Sequence, residues 1–123
     1  MNQRALVSVV DDNESVRESL PDLLRLSGFD ARAFSSAEAF LESDAVGTSN
    51  CLILDVGLPG ISGPDLQQEL IRRGQNVPII FITAQDDLSL RPRLIGRGAV
   101  ACLFKPFSDI ALLNALKAAV GAR

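Results

Sequence analysis

The feature that most constrains the fold is an alternation of short apolar runs with longer amphipathic segments, repeated five times along the chain. The apolar runs are rich in Val, Ile and Leu, which favours buried strands. They predict strands over residues 5–10, 31–34, 51–54, 78–83 and 101–104. Strands that alternate with helices usually pair in parallel and carry helices on both faces. The sequence therefore predicts a doubly wound α/β sheet.

The segments between the runs repeat apolar residues at helical spacing. They predict helices over 14–27, 36–41, 64–73, 90–97 and 108–120, with Ser36 and Ser108 at two of the N-termini. The inner stripe of the first helix is predicted to comprise Val16, Leu20, Leu23, Leu24 and Leu26, and that of the last helix Ile110, Leu112, Leu113, Leu116 and Val120. With 123 residues, 47% of them hydrophobic, residues 1–123 are expected to form one domain with one core.

Two prolines lie in these helical segments. Pro21 falls inside the first, where a proline removes one hydrogen bond and costs ~3 kcal/mol, yet the apolar stripe continues past it. We therefore predict one kinked helix. Pro92 fits if Ser89 is the N-cap and the helix begins at Leu90, because first-turn N–H groups have no intrahelical partner. Residues 84 to 89 are then predicted to be irregular.

Polar residues stand where the predicted strands end, at Asp11, Asp12, Asp55, Thr83 and Lys105. Each of them alone could be a helix cap, a turn residue or a solvated side chain. In open α/β sheets, however, ligands bind beyond the carboxyl ends of the strands, and these five residues are all predicted to meet at that edge. Their convergence favours a functional site.

The chemistry of such a site follows from its charges. Three carboxylates repel one another unless a cation neutralises them, and oxygen ligands of this kind suit Mg²⁺. One carboxylate could then attack phosphorus, because the metal shields its charge. Lys105 would contact the phosphoryl oxygens and Thr83 would donate a hydroxyl, while the small Ala84 leaves the approach open.

Four stretches, VVDDNESVRESL, CLILDVGLPGISG, IIFITAQ and GAVACLFKPF, resemble the receiver domain of two-component response regulators over essentially the whole chain. VSVVDDNESVRESL and AFSSAEAFL are similar to receivers of FixJ/NarL-type DNA-binding regulators. The resemblance implies sheet order 2-1-3-4-5 with five flanking helices. It also implies Mg²⁺ bound by Asp11, Asp12, Asp55 and the backbone carbonyl of Gly57. Asp55 would accept a phosphoryl group from a phosphohistidine on a sensor histidine kinase or a phosphotransfer protein.

The same resemblance assigns a switch role to Thr83 and Lys105, and a role in tuning the phosphoryl lifetime to Gly57 and Gln85. The family usually has Tyr or Phe three residues before the lysine, where this chain has Cys102. We expect that Cys102 leaves loose packing beside Thr83, and that phosphorylation signals by ordering residues 84–90. The output is expected to be a signal to a partner or output domain, with possible homodimerisation, through the fourth predicted helix, the fifth strand and the fifth helix.

Composition excludes several other classes. The chain has no histidine, which excludes Ser-His-Asp and Cys-His catalysis, and its net charge of −3 gives no basic patch for direct nucleic-acid binding. No apolar run reaches the ~18 residues of a membrane span, and the first ten residues lack signal-peptide character, so we expect a cytoplasmic location. Cys51 and Cys102 should be reduced and buried. A predicted strand lies between them, and two strand spacings of about 9.5 Å exceed the ~7 Å reach of a disulfide.

The expected function is a signalling switch that catalyses only its own phosphorylation and dephosphorylation. Several other functions are alternatives to it. A haloacid-dehalogenase-type phosphatase would need a second acid where Gly57 stands. A flavin or nucleotide module would need a glycine- or hydroxyl-rich loop after the first strand, where the chain has acids. A phosphorylation-independent pseudo-receiver stays open because of Cys102. A stand-alone regulator and the receiver part of a longer DNA-binding transcription regulator are both compatible with the sequence.

Overall fold

The computed structural model describes residues 4–84 and 89–121. Five parallel strands form one sheet: β1 (Leu6–Val10), β2 (Asp30–Phe34), β3 (Cys51–Asp55), β4 (Ile79–Thr83) and β5 (Ala101–Phe104). Their order is β2-β1-β3-β4-β5. The predicted fold class and strand order are both confirmed.

The described residues form six helices, one more than predicted: α1 (Glu14–Leu26), α2 (Ala37–Leu41), α3 (Ala45–Thr48), α4 (Gly63–Arg72), α5 (Leu90–Gly96) and α6 (Asp109–Gly121). The additional helix, α3, is a single turn that contains a glycine, so it is too short to show an apolar period. The Ser49 hydroxyl at its C-terminus donates to the Ala45 carbonyl over 2.6 Å and lies 2.7 Å from the Ser8 hydroxyl of β1. These buried hydrogen bonds attach α3 to the sheet.

The core lies on both faces of the sheet. One cluster places Leu52, Leu54 and Phe81 against α2, α3, α4 and α5, and the other places Val7, Ile53 and Ile80 against α1 and α6. Every residue of β3 and β4 is buried. Strands buried on both sides need apolar residues at successive positions, which explains the continuous apolar runs in the sequence.

The helix ends correct two predictions about the apolar stripes. Leu26 is 88% exposed and Ile110 is 72% exposed, so neither belongs to an inner face. Leu26 is the last residue of α1 and Ile110 is the second residue of α6, so both lie at helix ends outside the two core clusters. Leu20 and Leu24 of α1, by contrast, are buried as predicted.

Both prolines lie where the sequence indicated. α1 continues through Pro21 as one helix, as predicted, while its bend stays a prediction. α5 begins at Leu90 with Ser89 as its N-cap residue, so Pro92 falls in the first turn. The side chain of Ser89 makes no capping hydrogen bond, however, and its backbone is already helical (φ −76°, ψ −22°). The rest of the predicted irregular segment, residues 85–88, lies outside the described residues.

Two expectations about the chain as a whole can be compared with the structure. Cys51 and Cys102 are free and buried, as predicted, and β4 lies between their strands. In the part of the chain that the structure describes, no helix is both long enough and apolar enough to cross a membrane.

Candidate metal centre at the carboxyl edge of the sheet

The strand register brings the predicted site residues to one edge of the sheet. Val10 pairs with Leu54, so Asp11 and Asp55 follow equivalent positions of β1 and β3. Asp55 in turn pairs with Ile82 of β4, one residue before Thr83. Lys105 follows β5 directly, and its backbone N–H donates to the Thr83 carbonyl over 2.8 Å. The parallel pairing therefore places the carboxyl ends of β1, β3, β4 and β5 next to one another at one edge of the sheet.

Three carboxylates meet there. One oxygen from each of Asp11, Asp12 and Asp55 lies within 4.8 Å of the others. Asp11 is fully buried and Asp55 is 7% exposed, whereas Asp12 is exposed to solvent. The sequence predicted this grouping of the three acids, and the structure brings all three together.

Lys105 is the cation of the site. Its Nζ donates to Asp11 Oδ2 over 2.9 Å and lies 3.7 Å from Asp55 Oδ1. The lysine side chain is 24% exposed, so solvent screens the ion pairs only in part. Among these four side chains, three carboxylates and one ammonium leave an excess of two negative charges.

The pKa of the Asp55 carboxyl group reflects both its burial and the neighbouring negative charge. Burial raises the pKa of its carboxyl group, and the negative charge of Asp11 raises it further. Lys105 and the Gly57 N–H act in the opposite direction and lower the pKa, and Asp12 adds a smaller upward contribution. The net shift is upward, because one partly exposed ammonium does not compensate for both burial and two neighbouring carboxylates.

Asp11 is held in place by residues that the sequence analysis did not single out. Its Oδ1 accepts a hydrogen bond from the Asn13 N–H over 2.9 Å, and its carbonyl accepts one from Arg17 Nη1 over 3.1 Å. Asn13 in turn caps α1, since its side chain accepts from the Ser15 N–H over 2.9 Å. The start of α1 thus fixes the buried carboxylate, and the N-cap signature of Asn13 was the available clue in the sequence.

The loop between β3 and α4 covers one side of the site. The Gly63 N–H donates to the Val56 carbonyl over 3.1 Å, which brings the two ends of the loop together. Within the loop, the exposed Gly57 directs its N–H towards Asp55 Oδ1 over 3.5 Å. The residue proposed to supply a backbone ligand therefore lies beside the acceptor carboxylate.

The region of the predicted switch contains an aromatic side chain, although not at position 102. Thr83 is buried at the end of β4 and pairs in register with Phe104, while Cys102 is a buried core residue that pairs with Phe81. Burial raises the pKa of the Cys102 thiol. A cleft of about 570 Å³ lies alongside, lined by Arg91, Pro92, Ile95, Val100 and Phe104.

Ala84 and Gln85 are two further predicted site residues, and both follow β4. Ala84 is exposed directly after Thr83, and its role in leaving the approach to Asp55 open stays a prediction. Gln85 lies outside the described residues, so its role stays a prediction.

Comparison with known proteins identifies the family. The model of the response regulator receiver domain matches residues 7–117. The chain belongs to this family. The receiver domain is 47% identical over 116 residues to Nodulation protein W of Bradyrhizobium diazoefficiens, and 40% identical over 115 residues to the transcriptional regulatory protein FixJ of Azorhizobium caulinodans. These alignments cover 94% of the chain in both cases but only 51% and 54% of the two relatives. The chain thus spans about half the length of these relatives.

Solved structures agree with this assignment. The crystal structure of FixJ-N has a TM-score of 0.87 at 33% identity, with 99% of this chain and 98% of that one covered. The response regulator StyR has a TM-score of 0.90 at 41% identity, with 98% of this chain and 61% of that one covered. The receiver fold is therefore present from one end of the described chain to the other. Membership in the family also argues against the phosphatase and flavin alternatives.

Proposed function

We propose that this receiver domain accepts a phosphoryl group on Asp55 with the help of Mg²⁺. The observation that carries the proposal is the meeting of three carboxylates within 4.8 Å of one another, with Lys105 Nζ between Asp11 and Asp55. A structural salt bridge would need only one acid for one base. The additional acids, gathered at the edge where α/β sheets bind ligands, support a cation site.

The donor set fits Mg²⁺. We propose Asp11, Asp12, Asp55 and the Gly57 carbonyl as the protein ligands, all of them oxygen, which is the ligand type that Mg²⁺ prefers. The excess of two negative charges equals the charge of one divalent cation. When bound, the metal would neutralise the carboxylates and the phosphoryl oxygens, which otherwise repel one another.

The chain's own residues would perform the transfer. A carboxylate oxygen of Asp55 would form a bond to phosphorus while the N–P bond of a donor phosphohistidine breaks; the electron pair of that bond would stay on the imidazole nitrogen, which would take up a proton from water. Lys105, already 3.7 Å from Asp55, would contact a phosphoryl oxygen, and Thr83 would donate its hydroxyl. The exposed Ala84 would leave room for the phosphoryl group. Gly57 and Gln85 are proposed to tune its lifetime.

We propose that the domain acts as a signalling switch in the cytoplasm and not as an enzyme on external substrates. Its donor would be a sensor histidine kinase or a histidine phosphotransfer protein. Its output or homodimer contact would use the face formed by α5, β5 and α6, because Ile95 and Val100 are 40% and 37% exposed there and Ile110 protrudes from α6. Relatives named transcriptional regulatory proteins support a DNA-binding output domain as the receiver's partner in a longer chain.

The test is phosphorylation by a small donor such as acetyl phosphate, followed by mass spectrometry. We expect one phosphoryl group, on Asp55, and none on Asp55→Asn, which keeps the shape of the side chain but is no nucleophile. Labelling should also disappear when EDTA removes divalent cations. Full labelling of Asp55→Asn, or of the wild-type protein in EDTA, would contradict the mechanism. A wild-type protein that takes up no phosphoryl group under any condition would instead favour a pseudo-receiver.

A further inference from the structure

A side chain from α2 reaches across to the loop that covers the metal site. Glu38 Oε2 accepts a hydrogen bond from the Ile61 N–H over 3.3 Å, although 23 positions separate the two residues. Ile61 itself is half-buried and packs against the core cluster of α2 and α4. In the described part of the chain, this is the one side-chain hydrogen bond that residues 57–62 receive from outside the β3–α4 segment. Glu38 therefore holds the loop close to the start of α4, in addition to the hydrogen bond between Gly63 and Val56 that joins the loop ends.

The loop is shaped to receive the carboxylate. Gly60 has φ +72°, the left-handed region that favours glycine, and a Cβ placed on it would lie 2.6 Å from Glu38 Oε2. A side chain at position 60 would therefore occupy the space that the carboxylate fills. The Gly60 and Ile61 backbone therefore both lie close to the Glu38 carboxylate.

The helix at the other end of this contact, α2, is anchored in the core. α2 is held by Ala37 and Phe40, both fully buried, and its N-terminus is capped by the Ser36 side chain, which accepts from the Ala39 N–H over 3.0 Å. Glu38 lies in the first turn of this helix, on its exposed side. A helix anchored in the core that holds the loop at Ile61 restricts the positions that the loop backbone can adopt.

We infer that Glu38 is a positioning residue for the metal site: by holding Ile61 it limits the movement of the loop that carries Gly57 and its carbonyl, and the Gly57 N–H lies 3.5 Å from Asp55 Oδ1. The inference rests on the proposed function, in which that carbonyl is a metal ligand. Groups that orient metal ligands from outside contribute strongly to affinity, typically 10–100-fold. Glu38 touches no proposed ligand directly, so an effect at the lower end of this range, about tenfold, is expected.

The experiment is a Mg²⁺ titration of four proteins, followed by ¹H–¹⁵N NMR: wild type, Glu38→Ala, Glu38→Gln and the control Glu42→Ala. Glu42 follows the same helix and is also exposed, so its removal deletes the same charge without touching the loop. We expect about tenfold weaker binding for Glu38→Ala and wild-type affinity for Glu42→Ala. Glu38→Gln should stay within about twofold of wild type, because its amide oxygen can still accept from Ile61. The Ile61 amide should exchange faster only in Glu38→Ala, and thermal unfolding without metal verifies that each variant folds.

The outcomes separate the two proposals. Equal loss in Glu38→Gln and Glu38→Ala would show that only the charge matters and would overturn the positioning role. Wild-type affinity in Glu38→Ala would overturn it too, while leaving the metal site itself intact. A wild-type protein that binds no Mg²⁺ would instead refute the proposed function, and the inference with it.

Discussion

Replacing Gly63 by alanine tests how closely the start of α4 packs against the backbone at the end of β3, the strand that carries Asp55. Gly63 begins α4, and a Cβ on it would lie 2.4 Å from the Asp55 carbonyl oxygen and 3.0 Å from the Val56 Cα. Both neighbours are backbone atoms, so no side chain can rotate away. Because non-bonded heavy atoms prefer about 3.5 Å, the two backbone segments must separate by about 1 Å.

The expected cost combines two opposing effects. Overpacking a tightly packed site typically costs about 1–3 kcal/mol. Alanine in a helix gains about 0.5–1 kcal/mol over glycine, because the unfolded chain loses freedom. The free energy of unfolding should therefore fall by about 1–2 kcal/mol, equivalent to a Tm lower by roughly 4–8 °C in a domain of this size. The separation also displaces the backbone of Asp55, so phosphorylation should slow as well.

Urea unfolding followed by circular dichroism measures the change, with Gly47→Ala as the matched control. Gly47 lies in α3, and a Cβ there would meet nothing within 4 Å. The control should be unchanged or more stable by up to about 1 kcal/mol. A Gly63→Ala protein as stable as the control, with normal phosphorylation, would show that the backbone contact is not tight and would refute the reasoning.

Two other predictions concern buried charge and buried thiols. Lys105→Ala leaves the fully buried Asp11 without its ammonium, so the free energy of unfolding in EDTA should fall by about 2–3 kcal/mol. This is less than the cost of breaking a fully buried ion pair, because Lys105 is 24% exposed. Added Mg²⁺ should restore part of that loss in chemical unfolding, and an unchanged stability in EDTA would contradict this. Burial raises the pKa of Cys51 to about 12, above the ordinary value of 9.0. Its contribution to stability is therefore complete below pH 9 and is lost as the pH rises towards 12. At pH 8 a thiol reagent should label both cysteines only after denaturation, so rapid labelling of the native protein would contradict their burial.

Most of the fold could be predicted because each strand carries its signal locally. The run that forms β3 is apolar at successive positions and ends at Asp55, and both features follow from a strand that is buried on both faces and ends at the edge of the sheet where ligands bind. The same reasoning placed the acids at one edge, since parallel strands end on the same side. α3 was missed because a four-residue helix has no period to detect.

The parts of the site that sequence reasoning missed depend on distant contacts. Glu38 contacts Ile61 because α2 and the β3–α4 loop lie side by side in the fold. The local sequence around either residue contains no motif that predicts this contact. The family resemblance points to position 102 for the aromatic side chain, whereas the β4–β5 register places Phe104 opposite Thr83. The exposure of Ile110 has a similar cause: helical periodicity defines a face, but it does not show how far the neighbouring elements extend over it.

The position of Lys105 suggests how charge at Asp55 could reach the surface. Its ammonium lies 2.9 Å from Asp11 Oδ2 and 3.7 Å from Asp55 Oδ1, so it interacts more strongly with Asp11 than with Asp55. A phosphoryl group would place up to about two negative charges on Asp55 and compete for that ammonium. The backbone of Lys105 is hydrogen-bonded to Thr83, and β5 ends at the residue before it. A shift of the ammonium towards a phosphorylated Asp55 would therefore pull on the β4–β5 edge, near the exposed Ile95 of α5 and Val100, which directly precedes β5. On the proposed function, this lysine would then link the acceptor to the output face.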